Sequence, residues 1–123
     1  MSIYSGLNIQ LTNYATITDY GVTWRQTLGN NLGWQSVSIS ATGQYQTAVI
    51  YGGGIYTSSN YGRTMTLSSA PSSSTWYSVS ISASGQYQTA VVYGGRIYTS
   101  SNYGVTWTLN TSAPSSSWRS VSI

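Results

Sequence analysis

Two long stretches of this chain, from Trp34 to Met65 and from Trp76 to Trp107, carry nearly the same sequence. GQYQTAV occupies 43–49 and again 85–91, and IYTSSNYG occupies 55–62 and again 97–104. Trp34, Trp76 and Trp118 are spaced 42 residues apart. A unit recurring at this period cannot bury its apolar face alone, so neighbouring copies must stack to share a core. The period therefore constrains the fold more than any other feature.

Each unit reads as strand. In Ser36-Val-Ser-Ile-Ser40, Val37 and Ile39 share one face and the serines share the other, the period of two that marks a strand. Tyr45, Thr47, Val49 and Tyr51 alternate with Gln46, Ala48 and Ile50 in the same way, and Val105, Trp107 and Leu109 repeat it later. The strong helix formers Glu and Lys are absent from the chain. Turns fall at Ala41-Thr-Gly43, Tyr51-Gly-Gly-Gly54, Ser59-Asn-Tyr-Gly62 and the loop after Ala70. Four strands of about seven residues fit between such turns. Here they are strand A (SVSIS), B (QYQTAVIY), C (GIYTSS) and D (after NYG). Four antiparallel strands in a repeat of 40–45 residues describe a β-propeller blade.

The first copy is degenerate. Laying Trp24 on Met65 places Asp19-Tyr-Gly21 on Asn60-Tyr-Gly62 and Tyr4 on Tyr45. Residues 1–33 then supply strands B to D of one blade, and 118–123 supply a lone strand A to complete it. The second blade covers 34–75 and the third 76–117. Propellers close with about 4–8 blades, so three blades leave two open ends whose Val, Ile and Trp positions would face water. The expected remedy is a ring completed by homo-oligomerisation: a homodimer of six blades, or a homotrimer of nine. In the dimer, Ile123 of one copy would lie beside the strand starting near Ile3 of the other. An excised piece of a longer propeller is the alternative.

Three segments in register carry a further pattern: Ile17-Thr-Asp19-Tyr-Gly21-Val-Thr23-Trp24, Ser58-Ser-Asn60-Tyr-Gly62-Arg-Thr64-Met65, and Ser100-Ser-Asn102-Tyr-Gly104-Val-Thr106-Trp107. They resemble the Asp-box, or BNR repeat, of sialidase-like propellers, with its Ser-x-Asp-x-Gly-x-Thr-Trp pattern. The third copy differs by Asn102; the second has Asn60 and Met65, and the first has Ile17. The resemblance implies a structural hairpin turn between the outer strands, away from the ligand-binding face. Asp19, Asn60 and Asn102 are then turn residues whose side chains accept backbone amide hydrogens. Gly21, Gly62 and Gly104 allow positive φ, Thr23, Thr64 and Thr106 tie the turn, and the Trp anchors strand D.

Only Arg25, Arg63, Arg96, Arg119 and Asp19 are charged. Four dispersed arginines make no basic patch, which argues against nucleic acid as a partner. With no His, Glu, Lys or Cys, the groups that move protons or activate a serine are missing. Sialidases of the resembled family use an arginine cluster, an acid and a Tyr–Glu pair, and this chain has no Glu. Ordinary glycoside hydrolysis needs two carboxyls, so an enzyme is not expected, nor is a metal or other cofactor. No apolar run approaches the roughly 20 residues of a membrane helix, and the N-terminus does not read as a signal peptide. The compartment is not encoded.

Binding is open. Twelve Tyr and five Trp offer flat faces for sugar rings, and repetition around a ring suits weak multivalent recognition. Trp24, Trp34, Trp76, Trp107 and Trp118 read as core. Tyr51, Tyr93 and Arg96 are the candidate ligand residues, because the loops at 51–54 and 93–96 share one rim and Arg96 replaces Gly54. Glycan recognition is the first expectation. The alternative is a purely structural assembly unit, or an engineered or reconstructed one, without a ligand; the near-identity of the second and third repeats suits recent duplication or design.

Overall fold

A computed structural model describes residues 32–123. The first blade expected from the sequence, with Asp19, Gly21, Thr23 and Trp24, lies outside the described residues. Among the described residues there are nine strands and no helix. They run β1 (Trp34–Ile39), β2 (Gln46–Gly53), β3 (Ile55–Ser58), β4 (Thr66–Leu67), β5 (Ser74–Ile81), β6 (Gln88–Gly95), β7 (Ile97–Ser100), β8 (Thr108–Leu109) and β9 (Ser116–Ser117).

Every pairing is antiparallel. β1 to β4 pair consecutively to form one unit, and β5 to β8 repeat the pattern in the same register one period later. Ala48 lies opposite Val37 and Tyr56; Ala90 lies opposite Val79 and Tyr98. The units join because the far end of β2 runs past β1 and pairs with the start of β5, Tyr51 opposite Thr75 and Gly53 opposite Ser74. β6 pairs with β9 in the same manner. The result is a curled antiparallel sheet of propeller-like form.

The outer strands correct the expectation of seven residues each. β3 and β7 have four residues, and β4 and β8 only two. The reason is local: the amides of Asn60, Gly62 and Thr64, and of Asn102, Gly104 and Thr106, donate to turn side chains rather than to a ladder.

A single-layer unit has no interior, so the core lies between units. Val49, Ile55 and Ala70 of the first unit meet Trp76, Val79, Ile81 and Ala90 of the second, flanked by Tyr45, Val92, Tyr98 and Trp107. Polar contacts cross the same seam. Thr47 Oγ1 donates to the buried Gln88 Oε1 at 2.7 Å, and the Tyr45 and Tyr103 rings stack at 4.4 Å. The Ala41 N–H donates to the Ala83 carbonyl at 2.9 Å.

Not all the tryptophans are core. Trp76 is fully buried, but its repeat partner Trp34 is 42% exposed and Trp118 is only half-buried. Trp34 stands at the open end of the sheet, where no unit among the described residues covers it.

Candidate functional site

The pairing of β2 with β5, and of β6 with β9, brings two kinds of loop to one rim. The β2–β3 and β6–β7 turns end beside the loops that enter β5 and β9. A register irregularity between Tyr51 and Gly53, repeated between Tyr93 and Gly95, twists the strand end at the rim. The Thr75 hydroxyl donates to the Tyr93 carbonyl at 2.8 Å. Trp76 Nε1 donates to the Pro71 carbonyl at 3.1 Å, and Trp118 Nε1 to the Pro114 carbonyl at 3.2 Å. Each indole thus fixes the loop that precedes it.

Tyr51 and Tyr93 are both exposed at this rim, Tyr51 more so. Tyr93 does not stand alone. The Tyr77 ring lies 5.5 Å from it at 35°, and the Arg119 guanidinium sits 5.5 Å from its centroid. Tyr77, Tyr93 and Arg119 form an aromatic and cationic cluster, with a cation–π contact of about 0.5–1 kcal/mol at an exposed site. Arg96 is not part of it. Arg96 is half-buried, and its Nη1 donates at 3.4 Å to the Thr111 carbonyl in the loop before β9.

Neither Arg119 nor Tyr77 was among the candidate ligand residues read from the sequence. Their signal was the repeat itself: positions 35, 77 and 119 are equivalent and hold Gln, Tyr and Arg. In both described units that begin with a full innermost strand, a bulge falls at this position, between 34 and 36 and between 76 and 78.

The opposite side of the outer strands holds the turns. Ser58 Oγ accepts from the Asn60 and Gly62 N–H groups at 3.2 and 2.9 Å and donates to Asn60 Oδ1 at 2.9 Å. Asn60 Oδ1 also accepts from the Thr64 N–H at 3.0 Å, and Asn60 Nδ2 donates to the Thr64 hydroxyl at 2.8 Å. Ser100, Asn102, Gly104 and Thr106 repeat every bond. Tyr61 and Tyr103 sit at φ 63° and 62°, just before Gly62 and Gly104 at 76° and 78°. Two consecutive left-handed residues reverse the chain sharply, a cost the side-chain bonds offset. A groove of about 270 Å³ lies beside the second turn, between units. It is lined by Thr57, Ser59, Thr64, Thr66, Tyr103 and Val105, among others.

No family model matches the chain, and neither does any curated protein. Among solved structures, the chain is similar to a GH74 enzyme of Niastella koreensis, with a TM-score of 0.51 and 19% identity. The match covers 62% of this chain and 11% of that one. At this identity the likeness speaks to the fold alone, and it agrees with the propeller-like form of the sheet.

Proposed function

We propose that this chain is a non-enzymatic, self-assembling propeller whose rim recognises glycans through repeated aromatic faces. The observation that carries the reading is the Tyr77–Tyr93–Arg119 cluster, with Tyr93 and Arg119 exposed at the rim and positions 77 and 119 equivalent in the 42-residue period. Tyr faces suit the C–H-rich sides of pyranose rings, and a guanidinium offers several N–H donors to hydroxyls or carboxylates. Tyr51 repeats the Tyr93 position, and Arg96 lines the adjacent loop. Each such contact is weak alone, and a ring would add them by avidity. The Ser-Asn-Gly-Thr turns support an Asp-box type of blade with a structural role for the motif. Ring closure as a homodimer of six blades, with a homotrimer of nine as the second solution, would give the rim its symmetry. The single carboxylate in the sequence supports a non-catalytic role.

A glycan array tests the reading. The expected result is selective binding that Tyr93→Ala and Arg119→Ala abolish and Arg96→Ala weakens. Turnover of a sialoside would overturn the non-enzymatic part. A blank array would favour the second reading, an assembly unit without a ligand. That reading draws on the near-identity of the repeats and on the complete pairing of buried side-chain nitrogen and oxygen atoms among the described residues.

A further inference from the structure

One polar contact recurs between units with a fixed offset. Ser36 Oγ accepts from the Val79 N–H at 3.3 Å and Ser38 Oγ from the Ile81 N–H at 3.1 Å. One period later, Ser78 Oγ accepts from the Val121 N–H at 3.3 Å and Ser80 Oγ from the Ile123 N–H at 3.0 Å. All four contacts span 43 residues. The serines of one innermost strand thus cap the free edge amides of the next, and the segment 118–123 docks on β5 as β5 docks on β1.

Both ends of this ladder are unfilled among the described residues. At one end, Ser120 and Ser122 are exposed at the positions equivalent to Ser78 and Ser80. At the other, Val37 and Ile39 are 61% and 54% exposed, whereas their equivalents Val79 and Ile81 are 5% and 6% exposed. Strand alternation turns the Val37 and Ile39 N–H groups to the same edge as those of Val79 and Ile81. One end therefore offers two acceptors at alternate residues, and the other offers two donors and two apolar side chains at the same spacing.

We infer that the occupant of the β1 face is a second copy of this chain, whose Ser120 and Ser122 hydroxyls accept from the Val37 and Ile39 N–H groups as Ser36 and Ser38 accept from Val79 and Ile81. This rests on the self-association proposed above and specifies its interface. The contact is head-to-tail, so it must close into a ring to leave no end free. It continues an interface the molecule already uses twice. The two hydroxyl caps set the register.

The test uses the full chain, which has no cysteine of its own. Mass in solution is measured first. A Ser122→Cys, Ile39→Cys double variant is then oxidised and run on a non-reducing denaturing gel. The expected result is a mass two or three times 13.2 kDa and cross-linking into a closed species of that many chains. As a gauge, Ser38→Cys with Ile81→Cys should cross-link within one chain. An oligomer that fails to cross-link through 122 and 39, while the gauge pair oxidises, overturns this interface and leaves self-association standing. A monomer at every concentration overturns both. Should the gauge pair stay reduced, Ile39→Asp decides. Dissociation to 13.2 kDa with an unchanged circular dichroism spectrum supports the interface, and an intact oligomer overturns it.

Discussion

β1 and β5 contain the same tetrapeptide, Ser-Val-Ser-Ile, at 36–39 and 78–81, and pair with nearly the same neighbour in the same register. Yet Val79 and Ile81 are buried while Val37 and Ile39 face solvent. The difference lies entirely outside the unit: β5 has a preceding unit against it, with Val49, Ile55 and Ala70 in the shared core, and β1 has none among the described residues. The preceding tryptophans show the same contrast. Trp76 meets Tyr98 edge-on at 5.0 Å and is fully buried; Trp34 meets Tyr56 in the same way at 5.5 Å and is 42% exposed. Identical local structure thus carries very different energies, because each unit completes its core only by stacking.

Substitution in pairs measures that difference directly. Trp76→Ala should cost about 3–5 kcal/mol by urea denaturation and Trp34→Ala clearly less, since only the former opens a closed core. Equal losses would mean that Trp34 is covered as well. Ile81→Ala should cost about 2–5 kcal/mol, while Ile39→Ala stays within about 0.5 kcal/mol when the protein is monomeric. A larger loss at Ile39 that grows with protein concentration would place a second copy on β1.

The turns give a finer contrast. A Cβ on Gly104 would lie 2.7 Å from both Gln88 Oε1 and Thr57 Cγ2, and one on Gly62 would lie 2.7 Å from Gln46 Oε1 alone. Gln88 is buried and held by Thr47, whereas Gln46 is half-buried. Gly104→Ala should therefore lower the melting temperature more than Gly62→Ala, beyond the roughly 1 kcal/mol of positive-φ strain that both share. Ser58→Ala and Ser100→Ala should instead cost the same, about 1–3 kcal/mol each, because each Ser is bonded wholly within its own turn. Unequal losses would show that the turns are not autonomous. Ser36→Ala with Ser38→Ala should cost about 0.5–1.5 kcal/mol per bond, read against the same pair at 78 and 80.

Much of this was legible in the repeat. Period-two alternation in residues 36–40 and 45–51, together with the glycine turns, was enough for an all-β antiparallel arrangement. The Ser-x-Asn-x-Gly-x-Thr spacing anticipated side-chain acceptors and glycine at positive φ. It did not anticipate that Tyr61 and Tyr103 would also be left-handed, because their N–H groups are held by the Gln44 and Gln86 carbonyls, 17 residues earlier in the chain. Nor could it anticipate the short outer strands, which depend on how many amides the turn consumes. At the rim, Tyr51 and Tyr93 stood out as repeated aromatics next to glycine. Arg119 was passed over for Arg96, because a loop substitution is visible in an alignment of repeats and a cation over a ring is not.

The sequence by itself determined the all-β class, the four-strand order of each unit and the chemistry of the turns, because these follow from alternation and from bonds spanning a few residues. Only the tertiary structure decided which copy of each repeated residue is core and which is surface, and which arginine meets Tyr93. The physical reason is that burial and stacking here arise between units, from neighbours that lie a full period away, and identical sequences cannot encode different neighbours.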